Sequence, residues 1–485
     1  MIPDIQPMKP WICLSAGILI TLLVSVIRTE SKRPAQISAL LTLAASAVFG
    51  FSGISAESQV LMSGAFEVSS LTLVSLSAMC GLAAMFILGT GHYLSREKIH
   101  ISDYYHLLLI LVLGASVLVA SRNLVVTFIA LEVMSLPAYT LAGFRRNDSR
   151  SNEAALKYFI LGGAMGAVFL LGSSFIFGAT GSLDISEVFS QSGAGSAGSL
   201  LLYLGHLLVM VSFLFKVAAA PLHFWKPDVY EGSPTPVSGL MATIITSAAF
   251  ISLLRLIHLV DFSPASAGAY LDLVRSTIRV AAMGSLLIGS MIMITQRNLK
   301  RMLAYSSITH TGYLLLGVLG SFDPKMEITS VLVYLLGYAA MSTGVFVLLS
   351  LSKAPSDSGT ELIDLTGLVK RAPFLTFLWS VFLFSMAGMP FTVGFFTKYL
   401  VFMASLGGGE TGLVIVAALC TVIGAYAYVR PIALMTMRDA APGATDWEPT
   451  IGSQIVAVTA AGFVLLLGII PNAMIQYLKG IPLIH

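Results

Sequence analysis

Apolar stretches alternate with short polar segments along almost the whole chain. A helix needs about 20 mostly apolar residues to cross a bilayer. The pattern predicts an all-α polytopic membrane protein with about 14 transmembrane helices, numbered below as spans 1 to 14. Their predicted starts are Trp11, Ala35, Ser69, Tyr104, Leu124, Ala155, Ser199, Val237, Ser276, Met302, Ile328, Phe374, Thr411 and Gly452.

Prolines interrupt two of these stretches. Span 7 continues past Pro221 towards Trp225, and span 12 has Pro390 near its middle. A proline removes one backbone donor and clashes with the preceding helical turn, so both helices are predicted to break inside the membrane. Broken backbone at that depth is tolerated only where protein or water surrounds it.

The composition excludes most other classes of protein. Only 11% of the residues are charged, 56% are hydrophobic and the mean hydropathy is +0.88, whereas a soluble domain carries about 25% charged residues. A protein soluble on its own, a disordered chain, a nucleic-acid binder and a disulfide scaffold are therefore excluded. The three cysteines, Cys13, Cys80 and Cys420, lie in apolar stretches without ligand spacing, and we expect no metal or redox cofactor on this chain.

Cations are distributed unequally between the two sets of predicted loops. The loops after odd-numbered spans hold 17 lysines and arginines, with Lys226 and Lys300 counted among them, and the opposite side holds 7. Positively charged loops stay in the cytoplasm. Both termini are therefore predicted on the outer side.

Three ionisable residues are predicted deep in the membrane: Glu132 in span 5, Lys216 in span 7 and Lys398 in span 12. A charge at a helix centre costs about 2.5–3.5 kcal/mol on insertion scales, so each needs an explanation. One explanation is a structural ion pair that holds helices together, and the other is a proton path. Because both lysines lie beside helix breaks, the pattern favours proton transfer.

The two broken spans are five apart, and an odd offset reverses the direction through the membrane. This predicts two inverted five-helix repeats, spans 4–8 and spans 9–13, of the kind that builds transport half-pathways. The predicted segments are an N-terminal three-helix unit (1–103), an input half-channel (104–260), an output half-channel (261–440) and a C-terminal helix with its tail (441–485). In span 10, His310 lies among the hydroxyls of Tyr305 and Ser307. It could relay protons or be a neutral core histidine.

Three segments carry a family resemblance: PLHFWKPDVYEGSPTPV at 221–237, NLKRMLAYSSITHTGY at 298–313 and GMPFTVGFFTKY at 388–399. With these segments the chain resembles the antiporter-like subunits in the membrane arm of respiratory complex I, and most closely the N-type subunit. The resemblance extends over essentially the whole chain.

The resemblance implies a proton-translocating, non-redox subunit of a bacterial inner-membrane NADH:quinone oxidoreductase. NADH, FMN, iron–sulfur clusters and quinone would bind other subunits, and the partners would be other membrane-arm subunits. Glu132 and Lys216 would form the input half-site, and Lys398 would belong to the output half-channel. The family's central lysine on span 8 is replaced by Thr246. Threonine cannot carry a proton as a cation, so it could only order water, together with His310.

Three other functions remain open at this point. The chain could be a subunit of a multisubunit cation/proton antiporter, although the DVYEG form of the segment after Pro221 counts against this. It could belong to a membrane-bound hydrogenase or a relative of complex I with another electron donor. It could also be a structural strut of the membrane arm whose proton path is disabled, as Thr246 permits.

Overall fold

The structure is a computed structural model that describes residues 6–27, 33–54, 58–97, 99, 101–190, 196–258, 268–322, 328–354, 357, 359–442 and 445–479. Within these residues, 12 helices are long and apolar enough to cross a membrane. The two remaining predicted spans, 7 and 12, are each a pair of shorter helices. The predicted all-α fold with two broken spans is therefore confirmed. The predicted boundary between residues 260 and 261 lies outside the described residues.

The spans follow one another in chain order, with short helices in some connections. Spans 1 to 6 are α1 (Lys9–Ile27), α2 (Arg33–Ser52), α3 (Ser70–Arg96), α4 (Ile101–Ala120), α5 (Leu124–Ala142) and α6 (Ser149–Thr180). After the short α7 (Glu187–Ser190), span 7 comprises α8 (Ser196–Lys216) and α9 (Trp225–Gly232). Span 8 comprises α10 (Thr235–Leu240), a π-helical turn (Met241–Ile245) and α11 (Thr246–His258).

The second half continues in the same way. Spans 9 to 11 are α12 (Gly268–Thr295), α13 (Leu299–Gly320) and α14 (Thr329–Leu349). The 3-10 turn Leu362–Leu365 and α15 (Leu368–Arg371) precede span 12, which comprises α16 (Pro373–Ala387) and α17 (Val393–Gly407). Spans 13 and 14 are α18 (Thr411–Met437) and α19 (Ile451–Ile469), and α20 (Pro471–Lys479) follows. The strands β1 (Gln59–Leu61) and β2 (Phe66–Val68) form an antiparallel hairpin between spans 2 and 3.

Spans 8, 10 and 11 form the centre of the molecule. In spans 8 and 10, 94% of the most apolar stretch is buried, against 28% in α6, whose outer face is available to lipid. Both broken spans pack against this centre: α9 and α17 contact α13, and α17 also contacts α14. The break residues themselves are partly at the surface of the chain, where Phe224 and Phe391 are exposed.

Backbone groups freed at the breaks bond to neighbouring side chains. In span 7, the Ala220 N–H donates to Ser285 Oγ at 2.8 Å, and Thr311 Oγ1 donates to the Val217 carbonyl at 2.9 Å. In span 12, Gly388 ends α16 in the left-handed region with φ +91°, which suits a residue without a Cβ. The two bonds in span 7 pair backbone groups that would otherwise be unsatisfied inside a membrane.

Matching loop contacts at opposite ends of the molecule support the two inverted repeats. Asn123 caps α5 and pairs with Asp184 in the loop after span 6. Asn298 caps α13 and pairs with Glu361 in the loop after span 11. Each position in the first pair therefore has its counterpart five spans later.

Two arginines also correspond to each other five spans apart. Arg255 in span 8 donates to the carbonyl of Val119 at the end of α4. Arg430 in span 13 donates to the carbonyl of Ile294 at the end of α12, at 3.2 Å. In both repeats the fifth helix thus neutralises the C-terminal carbonyls of the first, where a positive charge is favourable.

Candidate functional site

The Lys216 ammonium lies in a pocket of aromatic and hydroxyl groups. It is the last residue of α8, and only 7% of it is exposed. Its Nζ donates to Ser135 Oγ at 2.6 Å and to the Tyr158 hydroxyl at 3.4 Å. The Nζ also lies 5.6 Å from the ring centre of Tyr139 and 5.3 Å from that of Tyr158. Ring faces attract cations and partly offset the loss of water.

Glu132 belongs to the same site without touching the lysine. Glu132, Ser135 and Tyr139 lie on one face of α5, because residues three, four and seven apart share a helix face. The carboxylate interacts electrostatically with Lys216. Among the described residues no direct ion pair joins the two, and Ser135 lies next to the lysine instead.

Two glycines of α6 make room for this face of α5. A Cβ on Gly162 would lie 2.0 Å from the Tyr139 hydroxyl, and a Cβ on Gly166 would lie 3.1 Å from Glu132 Oε1. The small residues therefore accommodate the polar ends of the side chains that surround Lys216.

Lys398 has a different environment. Its Nζ donates to the carbonyl oxygens of Met386 at 2.9 Å and Ala387 at 3.2 Å, and it lies 5.1 Å from the ring centre of Tyr313. The ammonium thus caps the last turn of α16, the negative end of that helix. The side chain is 6% exposed and has no carboxylate partner within the described part of the chain.

His310 is enclosed by tyrosines at the centre of the molecule. Its Nδ1 lies 2.7 Å from the Tyr334 hydroxyl, and its Nε2 lies 3.4 Å from the Tyr428 hydroxyl. It interacts electrostatically with both Lys398 and Lys226. The imidazole therefore has a tyrosine hydroxyl at each ring nitrogen and is within electrostatic range of two buried amines.

The three other predicted relay residues differ in their burial and hydrogen bonding. Thr246 is buried, and its hydroxyl donates to the Met241 carbonyl at 2.9 Å, across the π-helical turn. Ser307 is buried and completes no well-formed hydrogen bond among the described residues. Tyr305 is partly exposed. The structure therefore brings Ser307 and Thr246 into the interior and leaves Tyr305 at its edge.

Two buried lysines were missed by the sequence analysis, which counted Lys226 and Lys300 as loop residues. They are 1% and 0% exposed. Each is the second residue of its helix and lies near polar residues, Asp228 in one case and Asn298 in the other, and hydropathy alone does not show that these segments fold inward. The DVYEG signature close to Lys226 is the only sequence feature that could have drawn attention to it.

Lys300 belongs to a buried ionic cluster. The Asp357 carboxylate accepts hydrogen bonds from Lys300 Nζ and the Tyr93 hydroxyl, both at 3.0 Å, and pairs with Arg145 at 3.2 Å. Burial tends to raise the pKa of Asp357, but Lys300 and Arg145 outweigh it and hold that pKa below its usual value. Arg145 also binds the carbonyl of Gly232, so the cluster fixes the end of α9.

Comparisons with known proteins identify the family. Residues 121–424 match the family model described as NADH:quinone oxidoreductase/Mrp antiporter, TM. The NADH-quinone oxidoreductase subunit N 1 of Chloroherpeton thalassium is 37% identical over 420 residues, which cover 87% of this chain and 85% of that protein. The subunit N of Myxococcus xanthus is 32% identical and covers 98% and 97% of the two chains. The chain belongs to the subunit N family of NADH-quinone oxidoreductases.

Similarity to solved structures supports this family assignment. A chain of respiratory complex I from Thermus thermophilus superimposes with a TM-score of 0.81 and 29% identity, covering 96% of this chain and 98% of the other. A chain of the Mrp complex from Dietzia matches with a TM-score of 0.81 at 18% identity, covering 98% and 96%, which shows the shared fold alone. This subunit N homologue is therefore a multi-pass membrane protein with the antiporter-like fold.

Proposed function

We propose that this subunit N homologue translocates protons in the membrane arm of a bacterial NADH:quinone oxidoreductase and carries no redox chemistry itself. Its partners are the other membrane-arm subunits, including neighbouring antiporter-like subunits. One observation supports the proposal above all: a buried lysine lies at the helix break of each inverted repeat, Lys216 in one and Lys398 in the other. Each amine interacts electrostatically with a titratable group, Glu132 and His310 respectively.

The input half-site stores a proton on Lys216. While the Glu132 carboxylate is charged, it stabilises the ammonium without direct contact, and Ser135 accepts a hydrogen bond from that ammonium. When quinone reduction in other subunits changes the position or charge of Glu132, the lysine loses this stabilisation. Lys216 then releases its proton towards the central helices.

The output half-channel receives the proton through the centre. His310, with a hydroxyl at each ring nitrogen, accepts and donates protons without a large movement. The Thr246 hydroxyl, already donating to Met241, still offers its oxygen to a water molecule. Lys398 takes up the proton and releases it outward, or passes its charge state to a neighbouring subunit.

The orientation and the cofactors belong to the same proposal. NADH, FMN, iron–sulfur clusters and quinone are bound by other subunits. The cation-rich loops face the cytoplasm and both termini face the outer side. The direct contact between two loops of the cation-rich set, Asn298 with Glu361, supports their location on one face.

Replacing Lys216 with Met tests the proposal, because Met keeps the length of the side chain and removes its charge. We expect the assembled complex to persist and to translocate fewer protons per electron pair. Lys370→Met is the matched control, since the side chain of Lys370 is 73% exposed and, within the described part of the chain, pairs with the surface residue Asp439. Wild-type turnover and proton-to-electron ratio in Lys216→Met would remove Lys216 from the mechanism.

A structural strut is the second candidate function, and two observations favour it. Thr246 replaces the central lysine, and Lys398 acts as a helix cap through Met386 and Ala387. A strut predicts that lysine variants lower the yield of assembled complex and leave the proton-to-electron ratio of the assembled fraction unchanged.

A further inference from the structure

The subunit lacks a lysine where its family has the central one, yet a buried lysine lies elsewhere in the interior. Lys226 is the second residue of α9, directly after the break in span 7. It follows its break as Lys398 follows the break in span 12, so the two repeats each carry a lysine on the C-terminal side of a proline. The buried amine of Lys226 therefore needs an explanation, as those of the predicted site residues do.

The surroundings of Lys226 give no structural reason for its charge. The side chain is 1% exposed, and its Nζ lies 5.4 Å from the ring centre of Tyr230. Within the described residues it has no hydrogen-bond acceptor and no carboxylate partner. Lys300 is equally buried but is bound by Asp357, as expected for a structural lysine. A buried amine without such a partner is costly, and a membrane protein keeps one mainly for function.

The helix that carries Lys226, α9, packs against α6 of the first repeat and α13 of the second. The neighbouring Trp225 stacks on Tyr158 with ring centres 4.6 Å apart, and Tyr158 contacts Lys216. On the other side, His310 interacts electrostatically with both Lys226 and Lys398. Lys226 is thus next in sequence to the Trp225 that stacks on Tyr158, and its helix packs against α13, which carries His310.

Two buried hydroxyls provide places for water between these helices. The Tyr230 hydroxyl, on the same helix as Lys226, and Ser307 Oγ, on the same helix as His310, are buried and near each other, and neither completes a well-formed hydrogen bond among the described residues. Buried polar groups of this kind are usually bonded to ordered water. Water bound to them would connect Lys226 with His310.

We propose that Lys226 is the central proton carrier of this subunit, in place of the lysine that Thr246 replaces. The inference rests on the proposed function. The Lys216 ammonium releases one proton, and the neutral amine of Lys226 accepts it through water. Lys226 then releases that proton towards His310 and Lys398, and Lys216 takes up a new proton from the input side, so both amines return to their starting states after one passage.

The test compares three variants of the assembled complex in sealed membrane vesicles. Lys226→Met is expected to lower NADH-driven proton translocation about 100-fold or more, as loss of a positioned proton-transfer group does. The double variant Lys226→Met with Thr246→Lys is expected to recover a large part of the loss, because it restores a central amine on span 8. Lys216→Met measures the proposed function independently.

Each outcome decides one question. Wild-type translocation in Lys226→Met, together with a loss in Lys216→Met, overturns the role of Lys226 and leaves the proposed function intact. Wild-type translocation in both variants overturns the proposed function. If Lys226→Met fails to assemble, the double variant decides. A double variant that assembles and pumps supports Lys226 as the central proton carrier. A double variant that does not assemble assigns Lys226 a structural role and overturns the proposal.

Discussion

A methyl group added at Gly162 would disturb the Lys216 site from the neighbouring helix. The new Cβ would lie 2.0 Å from the Tyr139 hydroxyl, whereas ordinary contact begins at 3.4 Å, so the phenol has to move by about 1.4 Å (3.4 − 2.0). Overpacking of this kind costs about 1–3 kcal/mol. Because the Tyr139 ring lies under the Lys216 ammonium, the movement displaces the amine or weakens its binding.

The functional cost of this change follows from positioning. A misplacement of about 1 Å in a reacting group can reduce a rate about 100-fold. We therefore expect Gly162→Ala to slow NADH-driven proton translocation by up to about 100-fold in vesicles that contain the assembled complex. Gly163→Ala is the matched control, since nothing lies within 4 Å of a Cβ at that position. Equal translocation by the two variants would refute the link between this glycine and the Lys216 site.

Three further predictions concern the ionic and hydroxyl partners. Asp357→Asn leaves buried cations without a counter-charge and is expected to cost about 3–5 kcal/mol of stability in thermal unfolding, while the exposed Asp439→Asn changes little. The pKa of Asp357 is lower in the folded than in the unfolded protein, so the ionised carboxylate contributes its full stabilisation above the unfolded pKa of about 3.9 and loses it as the pH falls below that value. Acid titration of Asp357→Asn should lack this loss of stability. Glu132→Gln is expected to lower the proton-to-electron ratio with normal assembly, and an unchanged ratio would exclude the carboxylate from the input half-site. Tyr334→Phe leaves His310 Nδ1 without its hydroxyl at a cost of about 1–3 kcal/mol, and vesicle acidification should slow.

The span pattern was predictable because bilayer thickness fixes the length of an apolar helix. Prolines inside apolar stretches also located the breaks at Pro221 and Pro390, because proline removes a backbone donor and clashes with the preceding helical turn. The three central ionisable residues stood out for the same reason: charges are rare in such stretches.

The burial of Lys226 and Lys300 could not be predicted in this way. Both lie near polar residues, and a composition pattern does not show whether such a segment faces water or packs into the protein. Their positions depend on tertiary contacts, α9 against α13 and Asp357 against Lys300. These contacts join residues far apart in the sequence.

The pairing between repeats was only partly predictable. Sequence alone indicates that spans 5 and 10 correspond. The capping residues Asn123 and Asn298 set the register, which aligns Ser307 with Glu132 and His310 with Ser135. The histidine thus corresponds to the serine that binds Lys216, a relation that side-chain chemistry does not suggest.

Charge movement through the assembled complex tests proton translocation by this subunit most directly. The charge carried across the membrane per NADH oxidised should be smaller in Lys398→Ala than in wild type, at equal complex content, because the output half-channel loses its proton acceptor. Equal charge per NADH in the two would show that protons do not pass through Lys398 and would contradict the proposed mechanism.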